Sequence, residues 1–363
     1  DSAYGSSNFG GVDNTAGYDN ITIRNCLFFD QSADVNFGKP AISMTDASNI
    51  TIFNVTINTT KILAIGISFT RVNNSHIANN TIITVESKAI QLSTSLFNHI
   101  DNNTIDTKRG GISLATSSNN NSFFNNKITL GVGASSSTGS GIDFSSSANN
   151  NVTNNTINGS DAYALVYLQG TSVNNIFTNV NLSGIAPLLY ILDTTGTSRA
   201  NYLIFNNSFG EIRWENRGTS SFTRNLTFNI TKNDQGFGFG RNLFIGNNTF
   251  ALNMSAFDNT TMNSSANITL TGLIYGDILE IRRVENYTTV AANILTAGSN
   301  CNGTSCLIIN YSGGSVLFNT SFFSSFTANG TANTPPLISN IQRSAMAVAK
   351  NGTLRLNATV TDN

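Results

Sequence analysis

Lys61, Glu86 and Arg109 each stand seven residues after an asparagine, at Asn54, Asn79 and Asn102, and Asp161 stands seven after Asn154. Lys88, Asp106 and Lys108 lie beside them in the chain. If those asparagines are equivalent positions of a repeat, the charges stack up one edge, the only place where both signs converge. Such an edge can hold an ionised group and exchange a proton with it. It also reads as an alternating charge ladder on a solvated corner, worth little in stability. His76 and His99 are 23 residues apart, and each precedes an isoleucine. Paired imidazoles suit a metal or a proton transfer, but the equivalent positions elsewhere are Thr51, Ser122 and Asn151, which add no third ligand. Asp143 sits between Ile142 and Phe144, so its side chain alternates outward. A glycosidase wants a second carboxylate opposite, whereas the matching positions are Ser43, Ser68, Gln91 and Ser113. That row reads as a hydroxyl-rich face without acid–base power. Neither a metal nor a cofactor is expected.

What must position these residues is a repeat. "NNSHIANNTI" at Asn73–Ile82 returns as "FNHIDNNTI" at Phe97–Ile105, "NNSFFNNKI" at Asn120–Ile128 and "NNNVTNNTI" at Asn149–Ile157. Taking Asn25, Asn54, Asn79, Asn102, Asn125, Asn154, Asn179 and Asn206 as landmarks, the gaps are 29, 25, 23, 23, 29, 25 and 27 residues. A period in this range marks a solenoid whose repeats pack only on their neighbours. Each repeat also holds a second apolar segment: "AISM", "GISF", "AIQL", "GISL", "GIDF", "ALVYL" or "PLLYI". Apolar residues alternate there as in a strand with one buried face. Ile77 and Ile82 are five apart, an odd spacing, so a turn at Ala78-Asn79-Asn80 must return both to the inside. Asparagine tolerates the left-handed bend such a corner needs, and its amide can bond its counterpart one coil away. The expected fold is all-β: a right-handed parallel β-helix of three-strand coils with a period near 24. Ile67, Ile90, Ile112 and Ile142 should stack inside it.

The repeat fades after Phe209. The expected divisions are a β-helix over 1–215, a cap or transition over 216–241 around a burst of charge, and a small β-sandwich over 242–328. A linker over 329–336 containing Pro335-Pro336 follows, and then the start of an immunoglobulin-like module over 337–363. Both ends read as cuts from a longer chain. Only 11% of residues are charged and the net charge is −1, which argues against nucleic acid. No apolar run approaches the roughly 18 residues of a membrane span. The chain carries 27 Asn-x-Ser/Thr sequons, a density suited to an exported glycoprotein. Sequons in loops and turns, at Asn158, Asn302, Asn329, Asn263 and Asn286, are the expected glycan sites, and corner asparagines Asn79, Asn102 and Asn154 are expected to turn inward. Cys301 and Cys306 flank the turn "NGTS" and are read as a short disulfide; a CxxxxC metal half-site would need a second pair, which is absent.

The coils, "NNSHIANNTI" and "NNNVTNNTI" above all, resemble periplasmic-copper-binding-type and pectate-lyase-like β-helix repeats. "CNGTSCLIINYSGGSVLFNTSFFSSFTA" and "TPPLISNI" are similar to the modules that follow such helices in archaeal cell-surface proteins. The resemblance implies a surface-layer component, adhesin or appendage subunit, extracellular and glycosylated. A lyase of the pectate kind would use Arg109 as base or uronate clamp, with Glu86 and Asp106 on Ca²⁺. Two carboxylates are few for a site of six to eight oxygens. The expectation is therefore a non-enzymatic structural protein of a surface array or filament that self-associates or packs on neighbouring subunits. The alternatives are a carbohydrate-binding adhesin using the Ser/Thr/Gln face and a polysaccharide lyase or hydrolase.

Overall fold

The computed structural model describes residues 11–30, 39–62, 64–131, 139–159, 163–184, 189–193, 201–215, 237–256, 265–303, 305–332, 337–343 and 356–361. Among these, three sheets form a solenoid. Sheet I has eight parallel strands, including Ile67–Thr70, Lys88–Ser93, Gly110–Ala115 and Ser140–Ser145. Sheet II runs through His76–Ala78, His99–Asp101, Ser122–Phe124 and Asn151–Thr153, and sheet III through Thr81–Glu86, Thr104–Thr107, Lys127–Leu130 and Thr156–Gly159. In sheet I, Ile67, Ile90, Ile112 and Ile142 follow one another in register, as expected. Ile77, Ile100 and Phe123 do so in sheet II, and Ile82, Ile105 and Ile128 in sheet III. All of these are buried. The glycine of "GISL" is explained by close approach: a Cβ on Gly111 would lie 2.3 Å from the Gly141 carbonyl oxygen of the next coil.

Left-handed residues turn the chain between sheets I and II and between sheets II and III. Between sheets II and III these are Asn54, Asn79, Asn102, Asn125 and Asn154, with φ of 51–55°. The asparagine pair then divides its work, and here the expectation is corrected. Asn79, Asn102 and Asn154 take the bend and are exposed, while the second members, Asn80, Asn103 and Asn155, are buried. The reason is alternation: the residue after the bend begins the next strand one position before an outward threonine, so its side chain points in. Inside, Nδ2 of Asn80, Asn103 and Asn126 donates to Oδ1 of Asn103, Asn126 and Asn155, each at 2.9 Å. A second buried file runs Asn98, Asn121, Asn150, Asn175 and Asn201. A third uses serine hydroxyls, accepting from the backbone N–H of the preceding coil at Ser95, Ser118, Ser147 and Ser172.

The solenoid does not end where a separate sandwich begins. Tyr202–Asn207, the last parallel strand of sheet II, turns back into Gly210–Glu215, and antiparallel pairing continues through Ala266–Leu270, Ser315–Thr320 and Cys306–Ser312. Sheet II thus has twelve strands and is continuous with the region expected to be its own module. A five-stranded sheet containing Thr249–Leu252, Tyr275–Val284 and Ser325–Ala332 accompanies it. The aromatic core here includes Trp214, Phe250, Phe318, Phe323 and Phe326. Phe237 exchanges backbone hydrogen bonds with Leu182 at the end of sheet III and stacks edge-on against Phe205 at 5.0 Å. Strand Ser325–Ala332 runs into the segment expected as linker, because Asn329 and Gly330 pair with Glu280 and Ile278. Leu337–Arg343 and Leu356–Thr361 form an antiparallel pair.

Candidate functional site

Sheet II directs the first and third residues of each three-residue strand outward, the middle residue being buried, although Ala78 is itself covered. One column reads Thr51, His76, His99, Ser122 and Asn151; the other reads Phe53, Ala78, Asp101, Phe124 and Thr153. The histidines are register partners, with ring centroids 6.5 Å apart and planes nearly perpendicular. The third participant that spacing alone did not find is Asp101, in the other column. Its Oδ1 bonds His76 Nε2, and its Oδ2 accepts from Asn102 Nδ2 at 2.8 Å. The signal was available in "HID", where an outward residue two after a histidine shares its face. Beside this pair lies an open groove of about 460 Å³, lined by His99, Asp101, Ser122, Phe124, Asn151 and Thr153. Phe124 is 43% exposed and Phe53 is 40% exposed. The Thr153 hydroxyl donates to Asn151 Oδ1 at 3.0 Å, which leaves the Asn151 amide nitrogen available.

The charged edge is only partly assembled. Lys61 lies in strand Thr56–Ile62, its side chain outside the described residues, and Asp161 is outside them altogether. Glu86 stands in register with Ile62, after an irregularity in the pairing between Thr59 and Ile62. The expected Lys61–Glu86 stack is therefore offset by one residue, because the earlier strand carries an extra residue there. Glu86 and Asp106 are exposed, Asp106 is flanked by Ile83 and Thr129, and Arg109 is half-buried at the start of the next strand. Among the described residues no group of three His, Cys, Asp or Glu is placed to hold a metal ion.

Asp143, on sheet I, is flanked in register by Ser113 and Tyr167. Burial pushes its carboxyl above the ordinary range, opposed by a hydrogen bond from Gln169 and by Lys88 and Ser113. The Ser113 hydroxyl is buried, and although it lies near enough to influence Asp143, it completes no hydrogen bond of good geometry. On the surface, Asp46 and Arg71 pair across adjacent coils, which lowers the Asp46 carboxyl through that hydrogen bond.

Of the expected glycan sites, Asn158 is exposed but lies on a strand, and Asn286 is exposed in a turn. Asn302 donates to the Leu279 carbonyl and accepts from the Ile281 N–H. Asn329 donates to Glu280 at 3.0 Å. Asn263 lies outside the described residues. Cys301 and Cys306 form a disulfide, and Cys26 is free and exposed.

Residues 14–157 match the family described as right handed beta helix region. The match covers less than half of the chain and coincides with the most regular coils. No curated protein matches. Among solved structures, an alginate lyase from Paenibacillus is similar at 14% identity and a TM-score of 0.31, over 46% of this chain and 68% of the lyase. PfbA, a surface adhesin of Streptococcus pneumoniae, is similar at 14% identity and 0.32, over 63% and 69%. A tailspike protein of E. coli bacteriophage HK620 is similar at 10% identity and 0.30, over 86% and 69%. These likenesses do not bear on what this chain binds. No helix among the described residues is long and apolar enough to cross a membrane.

Proposed function

We propose that this chain is a structural protein of an exported surface assembly, in which the solenoid is a rigid stalk or packing unit. The observation that carries this reading is the set of three buried side-chain files, which tie successive coils together along the corners. Each buried amide satisfies a backbone donor of one coil from the next, so bending the rod means breaking polar contacts that water cannot replace. Rows of exposed Asn, Ser and Thr with little charge suit lateral contact with other copies or neighbouring subunits. The sequon density and the disulfide favour an oxidising, glycosylating environment outside the cell. Electron microscopy of the native particle tests this. Ordered filaments or lattices are expected; a dispersed monomer at native surface density would count against it.

A second reading, cleavage of a polysaccharide, has one observation in its favour: the half-buried Asp143 with its raised proton affinity beside Lys88 and Ser113. Its test is release of unsaturated or reducing-end products from polygalacturonate and alginate with Ca²⁺ present. Activity that vanishes in Asp143→Asn would replace the structural reading with an enzymatic one.

A further inference from the structure

We infer that the outer face of sheet II around Phe124 is a binding site for neutral, hydroxyl-rich sugar units. This goes beyond the structural role proposed above and does not depend on it.

The face is held by strands that are paired on both sides, so an extended peptide cannot add to it through main-chain hydrogen bonds. No lysine or arginine lines the groove, and Asp101 contributes negative charge; anionic ligands are therefore disfavoured. Both Asp101 oxygens already have partners in His76 and Asn102, which leaves little for a cation. What remains is an exposed ring with unspent hydrogen-bonding groups around it: His99, Ser122 and the Asn151 amide. A pyranose has the complementary form, an apolar face of C–H groups with hydroxyls at its rim. Along one column the order is Phe53, Ala78, Asp101, Phe124. Two exposed rings are thus three rungs, or about 14 Å, apart, with a small residue and a carboxylate between them. A chain of sugars laid along the solenoid axis reaches both rings.

A second observation is independent of the groove. At the bend before sheet II the other coils use Asn49, Asn74, Asn120, Asn149 and Asn174, all with left-handed φ. The coil that carries His99 and Asp101 has Phe97 there, at φ 57° and 51% exposed. A bulky aromatic in this conformation is strained, and asparagine would relieve it. The chain thus keeps a strained, half-exposed ring on the coil that lines the groove, where the other coils have asparagine.

Saturation-transfer NMR with cellohexaose, maltohexaose and mannohexaose tests the site, with a hexauronate as the anionic control. At least one neutral hexamer is expected to bind, more tightly than its disaccharide. Phe124→Ala and Asn151→Ala should each weaken binding about tenfold, and Phe209→Ala, a change at an exposed ring elsewhere, should leave it intact. Phe97→Asn is the discriminating variant, because it should raise Tm while weakening binding severalfold. Absence of binding by every neutral hexamer, unchanged affinity in Phe124→Ala, or preference for the hexauronate would overturn the proposal.

Discussion

Asn102 and Asn103 are adjacent and chemically identical, yet truncating them should have very different consequences. Asn103 Oδ1 accepts from the backbone N–H of Asn80 at 3.0 Å and from Asn80 Nδ2 at 2.9 Å. Its Nδ2 donates to the Ile77 carbonyl and to Asn126 Oδ1, both at 2.9 Å. Asn103→Ala leaves the buried Asn80 N–H without that acceptor and the Ile77 carbonyl without that donor. At about 1–3 kcal/mol for each stranded buried group, the loss is about 2–6 kcal/mol before any cavity cost. Asn102 is exposed, and its side chain bonds only Asp101 and Asn125 at the surface. Asn102→Ala forfeits mainly asparagine's tolerance of φ 55°, worth about 1 kcal/mol. Because each repeat leans only on its neighbours, distant coils cannot compensate for the lost rung. Urea unfolding followed by far-ultraviolet circular dichroism should show a gap of at least about 1 kcal/mol between the two variants. Equal losses, or an Asn103→Ala protein as stable as the parent, would refute the claim that the buried file holds the solenoid.

Three further outcomes are expected. Asp143 has a folded-state pKa raised by burial, so the folded protein holds that proton more tightly and the group opposes folding once pH rises above the ordinary carboxylate range. Asp143→Asn should therefore melt higher than the parent near neutral pH, with the gain fading as pH falls through that range; thermal melts across pH read this directly. The Cys301–Cys306 disulfide closes a short loop, so replacing both cysteines by alanine should cost about 2 kcal/mol, and intact mass before and after reduction and alkylation should reveal one additional pair beyond Cys26. Glycopeptide mapping should find Asn79, Asn154, Asn158 and Asn286 occupied more often than Asn302 and Asn329. The amide nitrogens of the last two are held by Leu279 and Glu280, and a transferase must displace those bonds.

The coils were legible in the sequence because a solenoid repeats its physics. Burial selects isoleucine every coil, bends select asparagine, and the odd spacing of Ile77 and Ile82 demands a corner. Which asparagine of a pair faces inward was not legible from the pairing alone. It depends on where the left-handed residue falls relative to the strand start, and a shift of one residue reverses every side chain. The serine file was in principle visible, since Ser95, Ser118, Ser147 and Ser172 keep the same 23, 29 and 25 residue gaps as the asparagines. Continuity of sheet II into the C-terminal region was hidden because antiparallel pairing between Tyr202–Asn207, Gly210–Glu215 and Ala266–Leu270 leaves no periodic mark.

The groups that could do chemistry were harder to find for the same reason that the coils were easy. In a repeat each position has a default occupant set by packing or by the bend, and a residue that obeys the default needs no other explanation. The informative residues break the default without a gain in stability. Phe97 replaces asparagine at a left-handed bend and stays exposed. Asp143 stands in a column with Asp13, Ser43, Ser68, Gln91 and Ser113, and burial penalises its charge. Phe124 and Phe53 put rings where other coils have Ala78 or Thr153. Three of these four departures lie on sheet II or at its entrance, so the departures from the packing default concentrate on the outer face of sheet II. The charged corner near Glu86 and Arg109 departs from no such default, since exposed charge on a solvated turn is what a soluble surface tolerates anywhere.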